Sequence, residues 1–381
     1  MDFDLGEEME ALRADVRQFC ATHVTTELRS RTHATGTPHD PKFARMLGER
    51  GWVAPGWPKE EGGRGHSWVE QFVLREEFDR AEAPISGLSV TMLVANTLRL
   101  WGTDEQKQSI LPRAARGEIV IVLGYSEAGS GSDVAAARTS ATRQPDGCWE
   151  INGEKMFTTH AHVSDYIFLL TCTDSAGPKR RNLTMFLIPS DTPGVAVHEI
   201  ATLGGERTNV TSYTNVRVPD SARVGEVNGA WAVLSSALMF ERASTWAPAL
   251  DRLVAAASSD EACSRDPQVA SVIARAATYA EVSRLLALKS GWTAAQGKDT
   301  TVEGPMAKLF STEAYARIAG ELMDAIGPGC LTSATEAPRA LNIIEHAYRQ
   351  SQVTTIYGGT SEVQRSIIAE RGLGLPRSRT A

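Results

Sequence analysis

The chain has 381 residues, of which 42% are hydrophobic and 22% charged, with a formal net charge of −7 and no basic block. This length exceeds the size at which a single core usually stops growing, so we expect two or three packed subdomains. The acidic balance argues against nucleic-acid binding, which needs a basic patch or stripe.

Cysteine use and the chain start point to a cytosolic protein without a membrane span. The cysteines are odd in number, far apart and form no C-x-x-C pair, which predicts neither a disulfide framework nor a zinc site. A reducing cytosol fits this pattern. Residues 1–4 are acidic and lack the layout of a secretion signal, and no run of 18 apolar residues occurs. The cysteines are Cys20, Cys148, Cys172, Cys263 and Cys330.

The first third of the chain predicts helices. Apolar residues recur at steps of three and four near the start, as on one face of a helix: Leu5, Met9, Leu12, Val16 and Phe19. A loop rich in Gly, Pro and Trp covers residues 51–65. The helical pattern resumes over residues 68–117, with breaks expected near Pro84 and Gly102.

The middle of the chain predicts short strands. Asp146-Gly147 and Asn152-Gly153 suit the positive φ of tight hairpin turns. Hairpin spacing without intervening helices favours an antiparallel sheet or barrel. The predicted strands are residues 139–143, 148–151, 155–159, 166–171, 183–188, 195–200 and 212–218.

From Gly229 onward the pattern is helical again, and Pro248 is expected to kink or divide the first segment. The predicted segments are residues 231–257, 267–296, 305–326 and 338–357, the last continuing after a Gly-Gly break. The result is an α+β layout in three domains: an N-terminal helical domain (1–118), a middle antiparallel β-barrel-like domain (119–226) and a C-terminal four-helix bundle (227–381).

Several catalytic patterns fail on inspection. Residues 291–299 have the wrong glycine spacing for a P-loop and end in Gly-Lys-Asp. Residues 124–128 (GYSEA) resemble a nucleophile elbow but end in Ala where Gly is required, which leaves a serine hydrolase as a minor alternative. His160, His162 and Asp165 form a minor metal-site alternative, because no third and fourth ligand are evident beyond a polar loop.

Three segments together resemble the acyl-CoA dehydrogenase family. Residues 125–133 (YSEAGSGSD) are similar to the family's Thr-Glu-Pro-x-Ala-Gly-Ser-Asp loop, with departures at Ser126, Ala128 and Ser130. Residues 152–159 (NGEKMFTT) resemble its Gly-x-Lys-x-Trp/Phe-x-Thr strand. Residues 356–365 (IYGGTSEVQR) resemble its C-terminal motif, and 216–219 (VRVP) also fit. The order and spacing match over nearly the whole chain.

The resemblance implies the family's three-domain fold and an FAD cofactor. It places Ser126, Gly131 and Ser132 against the flavin or the acyl-CoA, Phe157 on the isoalloxazine ring and Thr159 near N5. It places Thr360 and Glu362 beside the cofactor at a helix N-terminus, where phosphate is favoured. The implied cofactor residues are Tyr125, Ser126, Gly131, Ser132, Phe157, Thr158, Thr159, Thr360 and Glu362, and the implied substrate residues are Ser132, Phe240, Arg242, Gly358 and Gly359.

The position of the catalytic base is the most informative departure. Many family members carry the catalytic Glu directly after the Tyr of the C-terminal motif, where this chain has Gly358. Isovaleryl- and long-chain-type members instead place it on a helix before an Arg, opposite a small residue. Glu241-Arg242 occupies that place here, within an apolar stretch where an unpaired carboxylate would be costly. The resemblance therefore implies Glu241 as the base; a surface Glu is the structural alternative.

The implied reaction is α,β-dehydrogenation of an acyl-CoA thioester. Glu241 would take the α-proton while the β-hydride passes to flavin N5. The backbone N–H at Gly358 and the FAD ribityl hydroxyl would stabilise the enolate-like charge. Desolvation would raise the pKa of Glu241 toward neutrality, which suits a general base.

Two departures concern partners. Residues 258–267 (SSDEACSRDP) lack the family's Arg-x-x-Phe-Gly segment, and residues 324–330 (DAIGPGC) replace its Gln-x-x-Gly-Gly-x-Gly turn. Both are where one subunit usually helps to bind another's FAD. Weaker FAD binding, a heterotetramer with a related subunit, and a homodimer or homotetramer all stay open. An electron-transferring flavoprotein is the implied acceptor; an acyl-CoA oxidase, a flavin N-hydroxylase and a non-catalytic subunit are the alternatives.

Overall fold

The computed structural model describes residues 5–241, 246–331 and 339–377, and leaves the side chains of residues 238–241 and 339 undescribed. Two compact units form. The sheet unit comprises residues 25–66 and 84–241, and the bundle unit comprises residues 1–24, 67–83 and 242–381. The predicted α+β layout is confirmed.

Helices enclose one side of the sheet unit's core. Thr103 caps helix α6, and its partner Gln106 completes a capping box that satisfies backbone N–H groups at the helix start. Helix α5 buries apolar side chains such as Val94 and Leu98 against Ile121 and Phe168 of the sheet. The helices of this unit are α2 (Thr26–Thr35), α3 (Pro41–Glu49), α5 (Ser86–Trp101), α6 (Asp104–Ala115) and α7 (Ala230–Glu241).

One eight-stranded sheet lies between α6 and α7 in the chain. Its order is β6-β7-β3-β2-β4-β5-β8, and β1 pairs with β4. Strands β4 and β5 are almost fully buried. The strands are β1 (Ile121–Gly124), β2 (Ser140–Arg143), β3 (Trp149–Lys155), β4 (Tyr166–Cys172), β5 (Leu183–Pro189), β6 (Val195–Ala201), β7 (Arg207–Val218) and β8 (Arg223–Val224).

The predicted hairpin turn at Asn152-Gly153 is wrong, whereas the turn at Asp146-Gly147 is confirmed. Strand β3 passes through Asn152 and Gly153, and residues 156–159 follow it as irregular backbone. A register shift there lets two residues of β7 face one of β3, and the N–H of Asn215 donates to Asn152 Oδ1 at 2.8 Å. The Asn-Gly pair therefore marks a β-bulge, a common place for a strand glycine.

The expectation of a purely antiparallel sheet is also wrong. Strand β1, which the sequence pattern did not predict, pairs in parallel with β4 from Ile121↔Tyr166 to Gly124↔Leu169. Strand β2 makes one further parallel pairing with β4, Ser140↔Cys172. The remaining ladders are antiparallel. The sheet is thus mixed, and β1 delivers the chain directly into the loop at residues 125–133.

Helices α8, α10, α11 and α12 form the four-helix core of the bundle unit, with α4 packed on α8 and α10 and α1 packed on α4. Pro248 lies in the first turn of α8, as expected for a proline that divides the predicted segment. The helices are α1 (Gly6–His23), α4 (Trp68–Arg80), α8 (Ala247–Ser259), α9 (Glu261–Arg265), α10 (Pro267–Ala295), α11 (Glu303–Ile326), α12 (Arg339–Thr354) and α13 (Ser361–Ile367).

Buried ion pairs tie α1 and α4 to α10. Arg13 Nη1 donates to Glu76 Oε2 at 2.7 Å and to Glu77 Oε1 at 2.6 Å, and Arg284 also binds Glu76. Burial alone would raise the pKa of Glu76, but these two guanidinium groups hold it below its usual value. Among the helices that the structure describes, none has both the length and the apolar character needed to cross a bilayer.

Candidate active site

A buried ion pair holds the loop at residues 125–133. Lys155, at the end of β3, is fully buried, and its Nζ donates to Glu127 Oε1 at 2.7 Å and to Tyr125 O at 3.2 Å. The Glu127 carboxylate also accepts the backbone N–H groups of Arg138 and Thr139, each at 2.8 Å. The loop is therefore anchored at its base, while its tip, including Gly131 and Ser132, stays exposed.

The charges of this pair are mutually stabilised. Burial alone would raise the pKa of Glu127, but the Lys155 ammonium and the two backbone N–H groups hold it below its usual value. Burial lowers the pKa of Lys155, and Glu127 opposes that shift. Neither residue was in the set that the sequence predicted for the site. Their spacing, 28 residues apart on different elements, gives no local signal that they pair.

Strand β7 holds the segment at residues 157–159 in place. Thr158 N–H donates to Asn209 O at 2.8 Å, and Asn209 Nδ2 donates back to Thr158 O at 3.0 Å. The Thr158 hydroxyl lies 3.2 Å from Thr211 Oγ1, and that of Thr159 lies 3.0 Å from Thr208 Oγ1. These bonds fix the backbone on which Phe157 projects.

Phe157 has a left-handed φ of 60° and is 61% exposed. Both properties are unusual for a large aromatic residue, because a left-handed φ is strained and exposed apolar area is unfavourable. Such strain persists where the surrounding structure imposes it, and it is frequent at ligand sites. An aromatic ring displayed in this way fits the predicted packing against a planar cofactor.

Gly131, like Phe157, has features that suit contact with a bound group. Its φ lies outside the left-handed range, and a Cβ built on it would meet no protein atom within 4 Å. Neither backbone conformation nor packing within the chain requires glycine here. The exposed face at Gly131 therefore suits the close approach of a ligand, and the residues present fit the FAD that the sequence implied.

The histidines near this segment have separate partners. His160 Nε2 lies 2.9 Å from Ser86 Oγ, and burial lowers the pKa of His160 to about 3. His162 Nε2 lies 2.9 Å from Thr37 Oγ1, and Asp165 accepts the N–H of Val120. Within the described parts of the chain, no group of three His, Cys, Asp or Glu side chains could hold a metal ion. The metal-site alternative has no support.

The C-terminal motif forms a tight turn in the bundle unit. Gly358 and Gly359 both have left-handed φ values, 63° and 87°. Thr360 is the N-cap of α13, and its Oγ1 accepts the N–H of Val363. Glu362 is exposed in the first turn, where hydrogen bonds from its own backbone N–H and from Thr360 lower its pKa. The structure confirms that a helix begins at this motif. The Glu362 carboxylate already accepts hydrogen bonds at that helix start.

The predicted base lies at the end of a described helix. Glu241 is the last residue of α7, whose earlier residues Leu234 and Ala237 are buried. The side chains of Phe240 and Glu241, and the whole of Arg242, lie outside the described residues. Their roles stay predictions.

The comparisons with known proteins agree with this architecture. Family models for the N-terminal, middle and C-terminal domains of acyl-CoA dehydrogenases match residues 6–118, 122–217 and 228–373. The chain belongs to the acyl-CoA dehydrogenase family, a family of FAD-dependent oxidoreductases. The resemblance seen in the motifs is confirmed.

Individual relatives match end to end. The acyl-CoA dehydrogenase FadE26 of Mycobacterium tuberculosis is 34% identical over 97% of this chain and 98% of its own length. The solved structure of the Tcur3481–Tcur3483 steroid ACAD is 34% identical with a TM-score of 0.92, covering 99% of this chain and 100% of that one. The ChsE4–ChsE5 complex from M. tuberculosis is 30% identical with a TM-score of 0.88, over 99% and 100%.

Proposed function

We propose that this chain oxidises the Cα–Cβ bond of an acyl-CoA thioester, with Glu241 as the base that removes the α-proton. The observation that carries the proposal is the pairing of two departures. Position 358, where many members of the family hold the catalytic Glu, is a left-handed glycine with no carboxylate. A Glu instead is the last residue of helix α7, whose earlier residues Leu234 and Ala237 are buried.

When bound, FAD would supply the acceptor for the hydride that leaves the β-carbon. The chain's own residues bind the cofactor, orient the substrate and polarise its thioester carbonyl. Gly131 and Phe157 offer surfaces for the cofactor. Thr158 and Thr159 bond to β7 and so fix the backbone next to Phe157. The N–H of Gly358 is the proposed donor to the thioester carbonyl, where negative charge develops as the α-proton leaves.

We infer that the acyl group is bulky, with a steroid-like ring system as the first candidate. A relative that is 34% identical over the full length carries the description steroid ACAD. The placement of the base on α7 with glycine at 358 agrees, because it resembles the family members that accept branched or long chains. Shared fold alone does not set specificity, so the acyl group is decided by assay.

We also propose that the chain works with a second, related subunit in the cytosol. One solved relative is described as the ChsE4–ChsE5 complex, and another carries the paired name Tcur3481–Tcur3483. A partner that supplies the missing FAD contacts, and an electron-transferring flavoprotein as acceptor, complete the proposal.

The test uses the purified chain, alone and co-expressed with a candidate partner. Wild type should show flavin bands and lose them anaerobically on addition of cholanoyl-CoA, a saturated steroid side-chain thioester, or of butyryl-CoA. Glu241→Gln should keep the flavin and lose turnover by roughly 10³-fold or more, because a positioned base contributes on the order of 10²–10⁴. The control is Glu226→Gln, an exposed carboxylate of the sheet unit, which should behave as wild type.

Three outcomes would overturn parts of the proposal. Normal bleaching in Glu241→Gln removes that residue as the base. Stoichiometric hydrogen peroxide under air makes the enzyme an oxidase. A chain that binds no flavin, either alone or with its partner, is a non-catalytic subunit.

A further inference from the structure

Two adjacent glycines at 358 and 359 give the C-terminal motif unusual backbone freedom. Both have left-handed φ values, and neither has a side chain that would restrict rotation of the peptide planes around it. If the N–H of Gly358 is to polarise a substrate carbonyl, the group must be held within about 0.5 Å and about 10–20° of its productive geometry. Something other than the local backbone must therefore fix these peptides.

The side chain of Gln364 acts as a clamp on both peptides. Its Nε2 donates to Gly358 O at 2.8 Å and to Gly359 O at 3.3 Å. Lys308 of α11 donates to the same Gly359 oxygen at 2.8 Å. Gln364 is fully buried, and so these bonds do not compete with water.

The oxygen of the Gln364 amide indicates that the position of this side chain is set by its nitrogen. Its Oε1 is buried and accepts no hydrogen bond from the described residues, which is a cost for a polar atom. The two bonds made by Nε2 must offset that cost. Gly359 confirms how closely the amide is set, because a Cβ built on Gly359 would lie 2.6 Å from Nε2.

We propose that Gln364 is a positioning residue for the reaction: by holding the carbonyls of Gly358 and Gly359, it fixes the two peptide planes that follow Gly358. These planes anchor the Gly358 Cα, and so they limit the backbone rotation that would turn the Gly358 N–H away from the thioester carbonyl. The inference rests on the proposed function of this turn. It assigns Gln364 no contact with the substrate. Without the clamp, the peptides on the C-terminal side of Gly358 can rotate, the Gly358 Cα moves with them, and the N–H attached to Gly358 spends only part of its time in the productive direction.

The test compares Gln364→Met, which keeps the length of the side chain and removes both donors, with Gln352→Met. Gln352 is an exposed glutamine of α12 whose side chain donates to Tyr348 O and lies near Ser351 Oγ in the same helix. Gln364→Met should lower kcat per bound flavin roughly 10- to 100-fold with little change in KM, since a displaced transition-state donor acts on kcat. Gln352→Met should match wild type. Gly359→Ala, which pushes the amide away, should reproduce the loss if Gln364→Met folds poorly.

A second readout does not depend on turnover. Cholanoyl-CoA labelled with ¹³C at the thioester carbonyl is bound to the Glu241→Gln variant, and its infrared carbonyl stretch is recorded with and without Gln364→Met. A working clamp lowers the stretch relative to free ligand, and its loss moves the band back toward the free value.

The outcomes separate the two proposals. If wild type bleaches with neither acyl-CoA, the proposed function fails and the clamp has no reaction to serve. If wild type turns over but Gln364→Met and Gly359→Ala keep both kcat and the shifted carbonyl band, the clamp is overturned. A loss confined to flavin content or thermal stability, with normal kcat per bound flavin, also overturns it, because a purely structural role predicts that pattern.

Discussion

The ammonium of Lys155 lies 2.7 Å from the Glu127 carboxylate, and Lys155 is fully buried while the Glu127 side chain is 11% exposed. This ion pair joins the end of β3 to the loop at residues 125–133. A buried pair of this kind adds little net stability relative to apolar residues, but removal of one partner leaves an uncompensated charge. The pair is therefore most sensitive to single substitutions.

Lys155→Met should lower the free energy of unfolding by about 3–5 kcal/mol and release the loop. Urea denaturation followed by circular dichroism measures the change. Lys179→Met is the matched control, because the Lys179–Asp133 pair at 2.9 Å has both side chains more than half exposed. That control should cost less than about 1 kcal/mol. Equal losses in the two variants would contradict the account.

Gly131→Leu should remove a ligand without disturbing the fold. A side chain at this position has open space within the chain, so the thermal midpoint of the flavin-free protein should not change. The flavin content, measured from the visible spectrum after purification, should fall sharply because the new side chain occupies the face that the ligand approaches. Retention of flavin at the wild-type level would show that no cofactor comes near Gly131.

His160→Asn should flatten the acid dependence of stability. Burial lowers the pKa of His160 to about 3, from an ordinary value of 6.5, so the unfolded chain binds a proton that the folded chain refuses. Stability is therefore unaffected above about pH 6.5 and falls with decreasing pH, by about 1 kcal/mol per pH unit near pH 5. Asn tolerates the left-handed φ of 64° at this position and does not titrate.

The measurement is the free energy of unfolding at several pH values from 7 to 5. The slope should be shallower in the variant by the amount that one histidine contributes. An unchanged slope would mean that His160 is protonated in the folded state, contrary to its burial.

Glu76→Gln should destabilise the bundle unit by about 3 kcal/mol at neutral pH, since Arg13 and Arg284 each lose a buried carboxylate. The pKa of Glu76 is lowered on folding, so its contribution is present above its ordinary value of 4.5 and is lost as pH falls below that value. The variant should consequently lose less stability than wild type on acidification from pH 5 to pH 3.

Glu281→Gln provides the comparison for Glu76. It pairs with the same Arg284 but is 58% exposed, and we expect less than about 1 kcal/mol of change. Chemical denaturation of both variants at pH 7 and pH 4 decides the matter. A larger effect at Glu281 would place the important contact on the surface.

Helical periodicity and turn chemistry predicted much of the fold. The apolar steps from Met9 to Phe19 correctly predicted α1, and Pro248 correctly marked the start of a separate helix. Asn152-Gly153 gave a wrong turn prediction because a dipeptide preference is local, whereas pairing with β7 continues the strand past these residues. At Gly153 a Cβ would lie 2.7 Å from the Cα of Thr139, so glycine serves close packing there and does not serve a turn.

The site shows the same division. The motifs correctly placed Thr360 at the start of a helix, but the predicted strand at residues 155–159 is wrong, because β3 ends at Lys155 and Phe157 lies on the irregular backbone beyond it. Pattern reasoning could not find β1, since its strand character depends on pairing with residues 45 positions later, Ile121 with Tyr166. Nor could it find Gln364, whose importance lies in the two carbonyls that its amide reaches. Both features depend on contacts that form only in the folded chain, and such contacts cannot be predicted from the residue pattern of a single sequence.

The interleaved connectivity of the two units has a consequence for biosynthesis. Helices α1 and α4 leave the ribosome early, yet Arg284, which binds Glu76, is translated 208 residues later. Until then the nascent chain carries acidic side chains without the arginine that pairs with them in the folded state, and apolar helix faces without the helices that later cover them. We expect the bundle unit to assemble only near the end of translation, which makes the growing polypeptide a natural client for ribosome-associated chaperones.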